Sequence, residues 1–270
     1  MNLAPMNSDN EDFEDDGIRR GREFVGSLER GLKVMQALGD APEGLTLTDV
    51  AGRVGLTRAT ARRFLLTLLE LGYVRQDRRL FILTPKVLSL GVSYLSNRPI
   101  WQSAAPLMRE LSRQVNESCS AAVLDGTDIV YVARVAGNRI MSVNITIGTR
   151  LPALTTSMGR VMLANLSPTA LHAFLTKSDI QRHTEYTLTD HDSLFAEITN
   201  VRSRGYAILD QELEIGLRSI AVPLRDRAGR AFAGLNISSQ TARVSRETMI
   251  SEFLPLMRET ARRIEQFYGA

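Results

Sequence analysis

Six arginines fall between residues 58 and 79 of this 270-residue chain. Guanidinium is planar and permanently charged, and its fork holds phosphate or a guanine edge through two hydrogen bonds at once. Lysine is nearly absent from the stretch, whereas a merely solvated basic face would use it freely. Arg58, Thr60 and Arg62 are expected to meet base edges or nearby phosphates, and Arg63 the sugar-phosphate backbone. Thr57 opens their helix, and Arg78 and Arg79 lie apart from it. The target implied is duplex nucleic acid.

The elements that must position these side chains are readable. Residues 46–54 form a short helix, Gly55-Leu56-Thr57 turns the chain, and residues 58–72 form a second helix. Thr46 and Thr57 can cap the two helices, and Gly72 stands where a helix stops in a left-handed conformation. Ala61, Phe64, Leu65, Leu68 and Leu69 recur at helical spacing, so that stripe must be buried and the arginines left on other faces. Residues 73–76 and 80–84 read as strands around Asp77-Arg78-Arg79, a charged wing tip that also brings Arg75 toward a phosphate backbone. A bare helical hairpin is the bland alternative; the wing, the caps and the arginine placement argue for a winged helix-turn-helix.

A preceding helix carries Phe24, Val25, Leu28, Leu32, Met35 and Leu38, and its extra apolar edge would suit a second subunit. Thr84 caps, and Pro85 opens, a helix over 86–96 that stops before Arg98-Pro99. The net charge of +3 conceals segregation: residues 1–16 hold six acids and no base, while 17–86 hold 13 basic and 7 acidic side chains. The domains expected are a disordered acidic tail over 1–20, which serves to solvate, the winged unit over 21–84, a linker helix over 85–99 and a larger domain over 100–270. No long uncharged apolar run or signal peptide is present, which predicts a cytoplasmic protein without membrane contact. Cys119 is alone, and His172, His183 and His191 are scattered, so neither a disulfide nor a metal or other cofactor is expected.

The larger domain reads as α+β. Helices are expected over 100–116, 159–165, 168–175, 190–204 and 245–267, and strands over 120–124, 129–135, 141–147, 206–211, 219–224 and 231–239. Alternation puts Ser219, Ala221 and Pro223 on one face of their strand and Gly234, Asn236 and Ser238 on one face of the next. The opposite faces, Ile220, Val222 and Leu224 with Ala233, Leu235 and Ile237, are apolar and must pack against helices. The small, polar face either meets water or lines a cavity; pattern alone favours water.

The chain resembles the IclR-type transcriptional regulators over nearly its whole length. The resemblance runs through residues 27–32, Gly55-Leu56-Thr57, residues 83–91 and Ile220-Ala221-Val222-Pro223-Leu224. Residues 140–152 and Thr156-Ser157-Met158-Gly159-Arg160 are similar to one branch, the PcaR, PcaU and PobR type, which controls catabolism of protocatechuate, p-hydroxybenzoate and β-ketoadipate. The resemblance implies a GAF-like effector domain, operator DNA as partner, and homodimers that often pair into tetramers. It also implies that Thr155, Gly159, Ser219, Asn236 and Ser238, with the segment 210–216 that starts at Asp210, line an effector site for a small aromatic or dicarboxylic acid. Asn236 stands where some relatives have serine.

Burying an acid requires a cation, and Arg139, Arg150, Arg160 and Arg218 are available, with backbone N–H groups near Met158-Gly159 as a second source. Each arginine has the plainer role of a surface residue or a partner for Glu212 or Glu214. The alternative function is an enzyme acting on a small acid, with Ser157 and one of the histidines as nucleophile and base. No G-x-S-x-G elbow, P-loop, dinucleotide glycine motif or H-E-x-x-H supports it.

Overall fold

The structure, a computed structural model, describes residues 23–91, 100–137 and 145–268. The chain forms two units that divide between Val92 and Ser93. The expected acidic tail and the end of the linker helix lie outside the described residues, as do Arg139 and most of the strand expected over 141–147.

In the first unit the order is α1 (Gly26–Gly39), β1 (Leu45–Thr46), α2 (Leu47–Arg53), α3 (Arg58–Glu70), β2 (Val74–Asp77) and β3 (Leu80–Leu83). Val34 and Leu38 of α1, Val50 and Ala51 of α2, and Ala61, Leu65 and Leu68 of α3 close one core with Val74 and Phe81. The predicted stripe of α3 is therefore buried except at its edge, where Leu69 stays 37% exposed. Thr46 does two jobs. Its backbone pairs with Leu80 as part of a short strand not foreseen from the sequence, giving a sheet of order β1-β3-β2, and its hydroxyl caps α2 in a capping box with Asp49. Gly72 ends α3 at φ +76°. After β3 the chain enters a 3-10 turn, Pro85–Val87, capped by Thr84, and continues helically to Gly91.

The second unit runs α4 (Ile100–Val115), β4 (Ser118–Asp125), β5 (Asp128–Val135), β6 (Arg150–Pro152), α5 (Ser157–Leu163), α6 (Pro168–Lys177), α7 (His191–Arg204), β7 (Ala207–Asp210), β8 (Leu217–Arg225), β9 (Ala231–Gln240), α8 (Arg246–Thr248) and α9 (Leu254–Glu265). The six strands form one antiparallel sheet in the order β6-β5-β4-β9-β8-β7. Of the strand expected over 141–147 only 145–147 are described; there Ile147 and Gly148 form a turn, and β6 pairs with β5 from Arg150. Between α8 and α9 the helix widens into a π turn, Met249–Phe253. Pro255 explains the break, because it offers no N–H to the carbonyl one turn earlier.

Each face of the sheet carries its own core. Ile220, Val222, Leu224, Ala233, Leu235 and Ile237 pack under α4 and α9, as the alternation predicted. The other face lies under α5, α6 and α7, with Met158, Leu163, Leu171, Leu194 and Ile198 in its core. α5 approaches unusually closely. A Cβ on Gly159 would lie 2.0 Å from the Ala153 carbonyl oxygen, and one on Gly234 of β9 would lie 2.9 Å from Met158. Only glycine fits at either contact.

Candidate nucleic-acid interface and ligand site

In the first unit, α3 presents the expected arginines to solvent. The Thr57 hydroxyl accepts from Thr60 N at 3.2 Å and donates to Thr60 Oγ1 at 2.9 Å, so Thr60 belongs to the cap as well as to the helix surface. Arg58, Arg62 and Arg63 are exposed, and among the described residues none has an acidic partner. The same holds for Arg78 and Arg79 at the wing tip, whereas Arg75 lies 4.0 Å from Asp77. Five exposed guanidinium groups on one helix and one hairpin tip, without acidic partners among the described residues, suit a polyanion.

The wing turn has a further peculiarity. Asp77 pairs with Leu80, leaving a two-residue turn, and Arg78 sits in it at φ +53° with its carbonyl accepting from Gln76 Nε2 at 2.9 Å. A left-handed conformation costs a residue such as arginine about 1–2 kcal/mol, and asparagine, which visits this region readily, less. Arg78→Asn is therefore expected to leave thermal stability unchanged or slightly raised while weakening duplex binding about tenfold at low salt, as measured by fluorescence anisotropy. Equal affinity would show that the strained arginine has no role in binding.

In the second unit a small cavity of about 30 Å³ opens on the polar face of the sheet. Ser219, Asn236 and Ser238 line it, as do Thr155, Thr156 and Ser157 from the start of α5. Tyr131, Ile145, Leu209, Leu213 and Leu217 supply apolar surface, and Glu212 and Arg134 supply charge. Burial pushes the Tyr131 phenol up to about 12, so it enters the site neutral. Two buried polar atoms at this cavity, Ser157 Oγ and Asn236 Oδ1, lack a protein hydrogen-bond partner, while the Asn236 amide donates to Ser238 Oγ at 3.0 Å.

Arg134 escaped the sequence reading. Strict alternation puts it on the face opposite Tyr131, yet both line the cavity. A bulge in β5 explains this: Ala121 pairs with Ala133 and Ala122 with Tyr131, so Val132 is an extra residue and the side-chain parity reverses across it. Arg134 then lies in a cross-strand row with Ser120, Asn236 and Ala221, and its Nη1 donates to Ser120 Oγ at 3.4 Å.

The other predicted ligand residues are placed differently. Arg150 is held at the β4–β5 turn, with Nη1 2.6 Å from Asp125 and Nε 3.1 Å from Asp128. Arg160 is 1% exposed and bidentate to Glu212, at 2.8 and 2.5 Å, with Nε donating to the Leu154 carbonyl. Asp210 and Arg218 pair with each other at 2.7 Å on neighbouring strands, and Arg218 also donates to the Val244 carbonyl. The Gly159 N–H is consumed by the Thr156 cap, and its missing side chain makes room for the Ala153 backbone. None of these five lines the cavity. Intramolecular carboxylates pair with the three arginines, which is the plainer role their sequence positions allowed, although Arg218 Nε is buried without a hydrogen-bond partner.

Ser157 opens on the cavity, but among the described residues no histidine lines it, and His172 stacks on Phe195 at 4.4 Å between ring centroids. No cluster of metal-ligating residues occurs among the described residues, and no helix among them is long and apolar enough to cross a membrane.

Comparison with known proteins matches both units to one family. Residues 27–78 match the IclR helix-turn-helix domain, and residues 92–266 match the bacterial transcriptional regulator IclR C-terminal domain. The Pca regulon regulatory protein of Pseudomonas putida is 44% identical over 92% of this chain and 86% of its own length. A crystal structure of a protein from Rhodococcus sp. RHA1 is similar with a TM-score of 0.80 and 54% identity, covering 90% of this chain and 98% of that one. The inducer-binding domain of an Acinetobacter PobR double mutant, in complex with 3-hydroxybenzoic acid, is 34% identical with a TM-score of 0.59 over 61% of this chain and 97% of that one. With an exposed arginine-bearing helix and wing in one unit and a polar-lined cavity in the other, the chain belongs to the IclR family of transcriptional regulators, in the branch of the Pca and PobR proteins.

Proposed function

We propose that this regulator senses a hydroxylated aromatic monocarboxylic acid in the cavity beneath α5 and that Arg134 receives its carboxylate. The observation that carries the reading is Arg134: among the described residues it is the cavity-lining cation without a carboxylate partner, held only by Ser120. A charge-assisted pair with a ligand carboxylate would offset the cost of burying the acid. Tyr131, Leu209, Leu213 and Leu217 suit a ring, and Ser157 and Asn236 suit ring hydroxyls. The complex of the PobR domain with 3-hydroxybenzoic acid supports this class of ligand.

Glu212 weighs against a dicarboxylate, because a second carboxylate would approach an anion already committed to Arg160. A thermal-shift screen tests the assignment. A ligand at one hundred times its Kd stabilises the native state by about 2.7 kcal/mol. For a unit of this size that is roughly 5–10 °C. p-Hydroxybenzoate or protocatechuate is expected to give this shift and β-ketoadipate not to, and Arg134→Met is expected to abolish the shift with the unliganded Tm retained. A full response in Arg134→Met would remove Arg134 from the site.

The same reading takes operator DNA as the partner of α3 and the wing. It also takes a second copy of the chain as the partner of α1, where Phe24, Val25, Leu28 and Leu32 remain exposed outside the core of their unit. Light scattering of Leu28→Glu/Leu32→Glu is expected to report a lower mass than the parent chain. An unchanged mass would place the contact elsewhere.

A further inference from the structure

We propose that the acidic segment 9–16 docks on the arginine face of α3 and the wing and competes there with nucleic acid. The inference rests on that face being the DNA site. Asp9, Glu11, Asp12, Glu14, Asp15 and Asp16 supply six negative charges, and residues 1–16 contain no base. Both family matches begin beyond this segment, at residue 27 and residue 92. The face opposite it in charge carries Arg58, Arg62, Arg63, Arg78 and Arg79, all exposed and without acidic partners among the described residues.

Chain length permits the contact. Nine residues separate Asp16 from Gly26, the first residue of α1, and the ten Cα–Cα steps can span up to about 35 Å. α3 is only about 20 Å long. α1 packs directly on α3, since a Cβ on Gly31 would lie 3.6 Å from the Phe64 ring. A segment tethered this closely acts at a local concentration on the order of millimolar. Weak pairing then suffices for substantial occupancy.

The tether itself contains Arg19, Arg20 and Arg22, which can neutralise part of the segment locally. Six acids against three such arginines leave a surplus of three; Arg30 on α1 is one exposed cation open to it, and α3 and the wing carry the larger cluster of five. The device makes physical sense for a regulator. Random duplex, which offers only phosphate, must displace the segment for no gain in base contacts, whereas a specific site repays the displacement.

The test compares the full chain with one starting at Gly17, and with a full-length form carrying Asn or Gln at all six acidic positions. Anisotropy titrations use a random 25-base-pair duplex between about 50 and 300 mM salt. At the lowest salt both altered forms are expected to bind roughly tenfold more tightly than the parent, with the difference vanishing at the highest salt and the parent's salt slope shallower by two to three. Equal affinities at low salt would overturn the inference.

Direct docking is read without DNA by disulfide trapping. The pair Phe13→Cys/Gln76→Cys, with one position in the segment and one on the wing, is expected to close faster than Phe13→Cys/Glu43→Cys and to block duplex binding until reduced. Native Cys119 is fully buried with its thiol pushed up to about 12 and stays silent. Equal closure rates, even with a change in affinity, would mean that the segment repels DNA without docking and would overturn the proposal. Failure of all forms to bind any duplex would instead remove the arginine face as the DNA site.

Discussion

Arg160→Met is expected to destabilise the second unit by about 3–5 kcal/mol, the usual consequence of removing one member of a buried ion pair. Arg160 is 1% exposed and Glu212 8% exposed, and the substitution would leave the carboxylate buried with the weak 3.3 Å donation from Leu188 N as its remaining contact. More than one element depends on the pair. Arg160 stands on α5 and also donates to Leu154, while the backbone carbonyls of Gln211 and Glu212 accept from the Thr184 and Thr187 hydroxyls. Glu212 and Thr155 both line the cavity, so the ion pair fixes the positions of two of its walls.

Arg160→Lys should recover little, because an ammonium cannot reproduce the two parallel bonds to the carboxylate or the third to Leu154. Arg160→Met/Glu212→Leu should recover much of the loss, since no charge is then left buried. Chemical denaturation of the three variants measures the series. A loss below about 1 kcal/mol for Arg160→Met would mean that solvent reaches Glu212 and that the pair does not hold the walls.

Replacing Arg58, Arg62 and Arg63 together by alanine is expected to weaken duplex binding on the order of a thousandfold near 0.1 M salt, with the salt slope reduced by about three. These three project from the exposed side of one helix whose opposite stripe is fixed by Ala61, Leu65 and Leu68. Thermal stability should hardly change, because none of them has an acidic partner to lose among the described residues. Single substitutions separate their roles. A phosphate contact loses affinity equally for operator and random duplex, while a base contact loses it at one operator position. Retained affinity in the triple variant would show that this helix does not carry the binding charge.

Local physics made the first unit legible from its sequence. Capping by Thr46 and Thr57, the stop at Gly72 and the stripe of α3 each concern residues within one or two turns of each other, so the arginines outside the stripe had to be exposed. The apolar alternation of β8 and β9 was equally local, and it placed Ser219, Asn236 and Ser238 on the correct face. Whether that face met water or a cavity was a different matter. It depended on α5 closing down on the sheet where Gly234 meets Met158, a contact between segments distant in sequence.

The cations show the same division. Sequence named Arg150, Arg160 and Arg218 as compensation for a bound acid, because composition counts charges without pairing them. The fold pairs them with Asp125 and Asp128, Glu212, and Asp210, partners between 8 and 52 residues away. It then turns Arg134 inward by a single extra residue at Val132. Residue type and spacing thus determined the exposed arginine surface and the existence of a two-faced sheet. Tertiary packing decided which guanidinium faces the cavity, because strand register and long-range ion pairing are set only when the whole sheet assembles.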